Sequence, residues 1–129
     1  MATLTAGITL SSTDITNDSA SVASDTLSVS LSNQLSVLGN CYSYVFATST
    51  TSAVFLSQAR HSASFLLLHN QSSTTAETIK IELADGDNDF IELGAGEFAF
   101  FPWNATHDLY VDAAQGTPAL EVRLYQKLA

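Results

Sequence analysis

Apolar and polar residues alternate with a period of two along much of this chain. Thr26-Leu-Ser-Val-Ser-Leu-Ser32 sets Leu27, Val29 and Leu31 on one face and Ser28, Ser30 and Ser32 on the other. That is the pattern of a strand covered on one side. Residues 78–83 alternate in the same way and direct Ile79, Ile81 and Leu83 inward. Residues 119–126 direct Leu120, Val122 and Leu124 inward, with Glu121, Arg123 and Tyr125 outward. Residues 4–10, 42–47, 53–56, 90–93, 97–101 and 108–113 read as further short strands. Leu35, Val37 and Leu38 extend or follow the strand at Thr26, and Gly39-Asn40 is expected to turn the chain. Ser64-Phe-Leu-Leu-Leu-His69 is a continuous apolar run, as in a strand buried on both faces.

Turn signals at Asp87-Asn88, Ala95-Gly96, Asn104-Ala105 and Gly116-Thr117 cut these runs at short intervals. Ser and β-branched residues are poor helix formers, so helix is limited to a single turn near residues 58–63. About nine or ten strands in one domain predict an all-β fold: a two-sheet antiparallel β-sandwich, jelly-roll-like. Residues 1–25 read as an N-terminal strand and polar arm of that same domain, and residues 26–129 as the β-sandwich.

Composition narrows the function. A chain of 129 residues is one domain and large enough to bury a core without a metal or disulfide staple. Its single cysteine, Cys41, lies in an apolar run and reads as a buried, inert thiol. The net charge is −9, and Arg60, Lys80, Arg123 and Lys127 are the only basic side chains apart from histidine. Nucleic-acid binding rests on clustered Lys and Arg, so nucleic acid is not an expected partner. Anionic membranes are disfavoured for the same reason, and no apolar run approaches the length of a membrane span. No secretory signal is expected, since the first residues carry no basic region and no long apolar stretch. The charged fraction is 13%, about half that of a typical soluble domain, with Ser, Thr, Asn and Gln in its place. Neutral polar surface desolvates more cheaply than charged surface, which suits burial against neighbouring subunits.

Three motifs could carry chemistry. Asp85-Gly-Asp-Asn-Asp89 spaces carboxylates as a calcium loop does, but lacks its later glycine and glutamate. A hairpin turn is the expected reading. Gly96-x5-Pro102-x-Asn104-x2-His107 resembles the second motif of the cupin family, in which the histidine ligates a metal. The paired histidines and glutamate of that family's first motif are absent, and one histidine does not make a metal site. Phe98, Phe100, Phe101, Trp103 and Tyr110 form an aromatic cluster in sequence; Phe98 and Phe100 share a face, and Phe101 points the other way. The expected reading is core for most of them, with Phe101 or Trp103 at a subunit contact. No nucleophile elbow, phosphate loop or paired-cysteine spacing occurs. No catalytic residue, cofactor or metal ligand is therefore assigned, and the chain is not read as an enzyme.

The order of features resembles small virion structural proteins of tailed bacteriophages, marine and cyanobacterial ones especially. The resemblance rests on the arm Ser11-Ser-Thr-Asp-Ile-Thr-Asn-Asp18, the alternating strand from Thr26, and Phe65-Leu-Leu-Leu-His-Asn70. It continues through the Gly-Glu-Phe-x-Phe-x-Pro passage ending at Pro102, then Leu109, Val111, Gly116-Thr117, Leu120-Glu121 and Leu124. Ala95 stands where that pattern often has proline. The resemblance implies a capsid decoration (cement) protein on the capsid exterior, with the major capsid protein and copies of itself, as dimer or trimer, for partners. A tail, baseplate or receptor-binding β-domain of the virion is the alternative within that class. A cupin-like metal-dependent enzyme or sugar-binding module is the alternative outside it. Leu4, Ile8, Ser28, Ser30, Ser32, Phe101 and Trp103 are the interface candidates, since an extended arm and a Ser-faced strand can add to a neighbour's sheet edge.

Overall fold

The computed structural model describes residues 2–15, 25–84 and 89–128; at 11–15, 25–29 and 40 the backbone alone is described. Among the described residues nine strands run in chain order: β1 (Ala2–Ile15), β2 (Asp25–Ala47), β3 (Ala53–Leu56), β4 (Ser64–Asn70), β5 (Ile79–Glu82), β6 (Ile91–Leu93), β7 (Phe98–Trp103), β8 (Leu109–Ala113) and β9 (Ala119–Lys127). They form a five-stranded sheet, β1-β2-β9-β4-β7, and a four-stranded sheet, β3-β8-β5-β6. Every pairing among them is antiparallel. The expected all-β, two-sheet antiparallel sandwich is the fold.

Alternation builds the core between the sheets. Leu66 and Leu68 of β4 and Leu120, Val122 and Leu124 of β9 point inward from the larger sheet. Ile79 and Ile81 of β5, and Leu109 and Val111 of β8, meet them from the smaller sheet. Fully burying a side chain of this size contributes roughly 1.5–3 kcal/mol, so this layer dominates stability. Tyr44 ties the sheets at one edge, its hydroxyl donating to the Phe55 carbonyl of β3. Burial, with Tyr42 beside it, pushes that phenol well above its ordinary pKa.

Asn70 is the polar pin of the core and is fully buried. Its Nδ2 donates to the Glu77 and Leu93 carbonyls at 2.8 and 3.0 Å. Its Oδ1 accepts from the Ser72 N–H at 3.0 Å. One side chain thus fixes the end of β4 to the entries of β5 and the loop after β6, satisfying groups that would be costly to bury alone.

β2 differs from the expectation of two strands split by a turn. It is continuous, and its register against β9 shifts between Val37 and Cys41. Gly39 sits there with φ at +47°, a left-handed conformation that costs glycine little. The chain therefore bulges instead of turning. Before the bulge β2 pairs with β1, from Ala2↔Val37 to Ile15↔Asp25; after it, β2 pairs with β9. The β1–β2 ribbon thus reaches beyond the end of β9. Val37 is the junction, paired with Ala2 on one side and Lys127 on the other.

Three further expectations are corrected. Cys41 is exposed, because alternation along β2 turns it outward opposite Tyr125. Leu83 is 45% exposed while Glu82 is 4% exposed, because β5 ends at Glu82 and the alternation stops there. The β4 run faces the core on one side only: Ser64, Leu66, Leu68 and Asn70 are buried, and Phe65, Leu67 and His69 face outward, half-buried. The single turn near residues 58–63 is present, with the His61 N–H donating to the Ser57 carbonyl at 3.2 Å.

Candidate functional site

The outer face of the five-stranded sheet carries a groove of about 680 Å³. Its floor comes from alternate positions whose other neighbours fill the core: Phe65 and Leu67 of β4, Phe98 and Phe100 of β7, and Tyr125 of β9. Phe65 and Phe100 stack with ring centroids 6.2 Å apart, a spacing favourable for aromatic pairs. Lys127 places its Nζ 4.9 Å from the Phe65 ring centroid. The far wall is the ribbon, through Leu4, Ala6 and Ile8 of β1 and Leu31 and Leu35 of β2. Both edge strands of the sheet, β1 and β7, thus line one groove.

Register explains the wall. Leu4 pairs with Leu35 and Ile8 with Leu31, and directly opposed residues share a face. Burial fades along the ribbon away from Val37: Leu4 is half-buried, Ile8 is 47% exposed, and Leu31 is 65% exposed. Phe98 across the groove is 67% exposed. Among the described residues no charged side chain lines the groove, although the chain carries a net charge of −9.

Of the interface candidates, Leu4, Ile8 and Ser32 come together in the groove. Ser30 is exposed but does not line it. The Ser28 side chain lies outside the described residues, though its backbone pairs with Ser11. Trp103 is 5% exposed within the core cluster, and Phe101 packs against that cluster. Those two aromatics point into the sandwich, because the β7 alternation sends Phe98 and Phe100 outward instead. Phe65, Leu67, Phe98 and Phe100 were missed as site residues. Their signal was available: apolar residues on both faces of β4 and β7 leave one face with no core to enter.

The histidines do not gather. His69 pairs through Nδ1 with Glu121 Oε1 at 3.2 Å, His107 Nδ1 lies 3.1 Å from Thr106 Oγ1, and His61 packs its ring on Tyr42. Among the described residues, the cluster of potential metal ligands is Glu82, Asp89 and Asp112, with no histidine in it. The Glu121 carboxyl is held below the usual range by the hydrogen bond from Arg123, against the opposing effect of burial and with help from His69. This ion group lies along the same outer face, beyond the apolar floor. Asp85 to Asn88 of the calcium-like motif lie outside the described residues; Asp89 sits beside Lys80, 3.6 Å away. The groove offers apolar area between the two edge strands of the sheet.

No protein-family model, curated protein or solved structure matches this chain.

Proposed function

We propose that this chain is a virion structural protein of the capsid-decoration kind, acting by interfacial burial and not by catalysis. The observation that carries the reading is the uncharged, half-exposed apolar groove shared by the β1–β2 ribbon and the outer face of β4 and β7. A contiguous apolar surface of this sort marks an interaction site. Strand order supports the jelly-roll reading: β2-β9-β4-β7 faces β3-β8-β5-β6, with consecutive strands from β2 to β9 crossing between sheets at every step but β5–β6. Jelly rolls build viral capsid domains, and also lectins and cupins. The dispersed histidines favour the structural member of that set over a metal-dependent one.

The first occupant of the groove is a second copy of this chain, through its ribbon. Two copies each carrying −9 repel over most of their surface. The groove is where that repulsion is absent, and a ribbon already forms one of its walls. Stable attachment requires about 800 Å² buried per partner. On a capsid, the same contact links neighbouring subunits and raises the barrier to their separation.

Light scattering of the purified chain across a concentration series tests the assembly, with a dimer or trimer expected and Phe98→Asp reducing it to monomer. A wild-type monomer at all concentrations rejects self-assembly. Imaging particles labelled on this protein tests the role: label on the icosahedral shell supports decoration, and label on the tail moves the protein to the tail.

A further inference from the structure

The outer face of the four-stranded sheet holds a different arrangement. Alternation sends Ile79 and Ile81 of β5 into the core, and Lys80 and Glu82 to the other face. On β8 it sends Val111 and Ala113 inward and Asp112 outward. The register sets Lys80 opposite Asp112 and Glu82 opposite Tyr110, which makes Glu82 and Asp112 diagonal neighbours. Asp89 arrives from the β5–β6 connection, just before the Phe90 N–H donates to the Ile81 carbonyl at 3.1 Å.

One carboxylate oxygen from each of Glu82, Asp89 and Asp112 lies within 4.8 Å of the others. Glu82 is 4% exposed, and its Oε2 is buried without a hydrogen-bond partner among the described residues. Asp112 Oδ1 is likewise buried and unpartnered. Lys80 is the cation at hand, and it reaches Asp89, at 3.6 Å. A buried carboxylate without a partner is costly, so this cluster requires either a bound proton or a bound cation.

Geometry and donor type select between cations. Calcium binds oxygen at about 2.3–2.6 Å, so two oxygens on one ion can stand up to about 5 Å apart. Magnesium binds at about 2.0–2.1 Å, demands near-octahedral order and keeps several waters, so a cluster of three protein carboxylates suits the more adaptable calcium shell. Among the described residues the donors are carboxylate oxygens, a hard set that suits calcium over softer transition metals. We infer that Glu82, Asp89 and Asp112 form a calcium site that ties the β5–β6 connection to β8. Asp89 closes the calcium-like Asp85–Asp89 motif, whereas Glu82 and Asp112 come from two strands that no loop spacing in the sequence brings to it. None of the three lines the groove, so calcium binding and self-assembly succeed or fail separately.

Calorimetric titration of the full chain with CaCl₂, and thermal unfolding with and without a chelator, test the site. Binding of one calcium per chain and a rise in Tm are expected, with both lost in Asp112→Asn and in Glu82→Gln. Glu92→Gln, an exposed change on the neighbouring β6, retains both. Three results would overturn the inference: no calcium response in the wild type, an equal response to MgCl₂, or the same rise from NaCl at matched ionic strength. A Glu82→Gln variant more stable than wild type in saturating calcium would overturn it too, and would leave a shared proton as the neutralising species.

Discussion

The two outer faces of this sandwich rest on one core and present opposite chemistry. Behind the five-stranded sheet, the outward positions of β4 and β7 are Phe65, Leu67, Phe98 and Phe100, and the ribbon stands over them. Behind the four-stranded sheet, the outward positions of β5 and β8 include Lys80, Glu82 and Asp112. Alternation assigns half of each strand to the core and leaves the other half free to vary. The groove on the first face has apolar area whose described lining carries no charged side chain, and it is satisfied by burial against another surface. The second has carboxylates without enough cations, and it is satisfied by a proton or an ion. One scaffold therefore supports two kinds of contact that need not interfere.

Changes in the shared core should break both faces together. Leu68→Ala, at a position with no exposure, is expected to cost about 2–5 kcal/mol in denaturant unfolding. Asn70→Ala comes next: it strands the Glu77 and Leu93 carbonyls, at about 1–3 kcal/mol for each buried group left unpaired. A cost well under 1 kcal/mol at Asn70 would mean that the pin is dispensable and that the sheets hold their relative placement by apolar packing alone.

The acidic face should separate from the groove through pH. Burial, then the neighbouring Asp112 and Asp89 carboxyls, push the Glu82 carboxyl above its ordinary value. Between the unfolded value and that raised one, the folded chain holds the proton more tightly than the unfolded chain. Without calcium, stability therefore falls as pH rises through that window, and Glu82→Gln removes this part of the slope. Thermal unfolding in chelator across mildly acidic to neutral pH measures it. Glu121 works in the other direction, its depressed value stabilising the fold above the ordinary carboxylate range and losing that contribution on acidification. A wild-type slope that Glu82→Gln leaves unchanged would remove Glu82 from the account.

The smallest effect on the isolated fold is expected at the groove. Leu31→Asp, at a side chain 65% exposed, should change monomer stability by no more than about 0.5 kcal/mol. It should still abolish self-association in light scattering. Loss of fold instead of loss of assembly would show that the ribbon belongs to the core and not to the interface.

The sequence carried the core better than the site. Leu120, Val122, Leu124, Ile79 and Ile81 were legible because strict alternation leaves one assignment of faces. Leu83 was misplaced because periodicity does not state where a strand ends, and ending β5 at Glu82 is what buries that carboxylate. Trp103 looked like a contact and proved to be core, since an aromatic residue suits either surface and only register decides. Leu4 and Ile8 were chosen as contacts on the expectation that an extended arm adds to a neighbour's sheet edge; in the fold β1 pairs with its own β2 and sets both in the groove. Phe98 and Phe100 were assigned a common face, but nothing local to them says whether it is the inner or the outer one. Of the Glu82, Asp89 and Asp112 cluster, only Asp89 was singled out in the sequence, within the calcium-like motif; Glu82 and Asp112 join it through the β5–β8 register.

Val37 has a further consequence. With Ala2 hydrogen-bonded along one side of it and Lys127 along the other, the two ends of the described chain stand two strand spacings apart, about 10 Å. A polypeptide fused ahead of Ala2 and another fused behind Lys127 would leave from the two sides of Val37 in opposite directions, because β1 begins where β9 ends and both run antiparallel to β2. Two probes attached in this way would report proximity for as long as that corner of the sheet stays zipped, and would part when the ribbon lifts away.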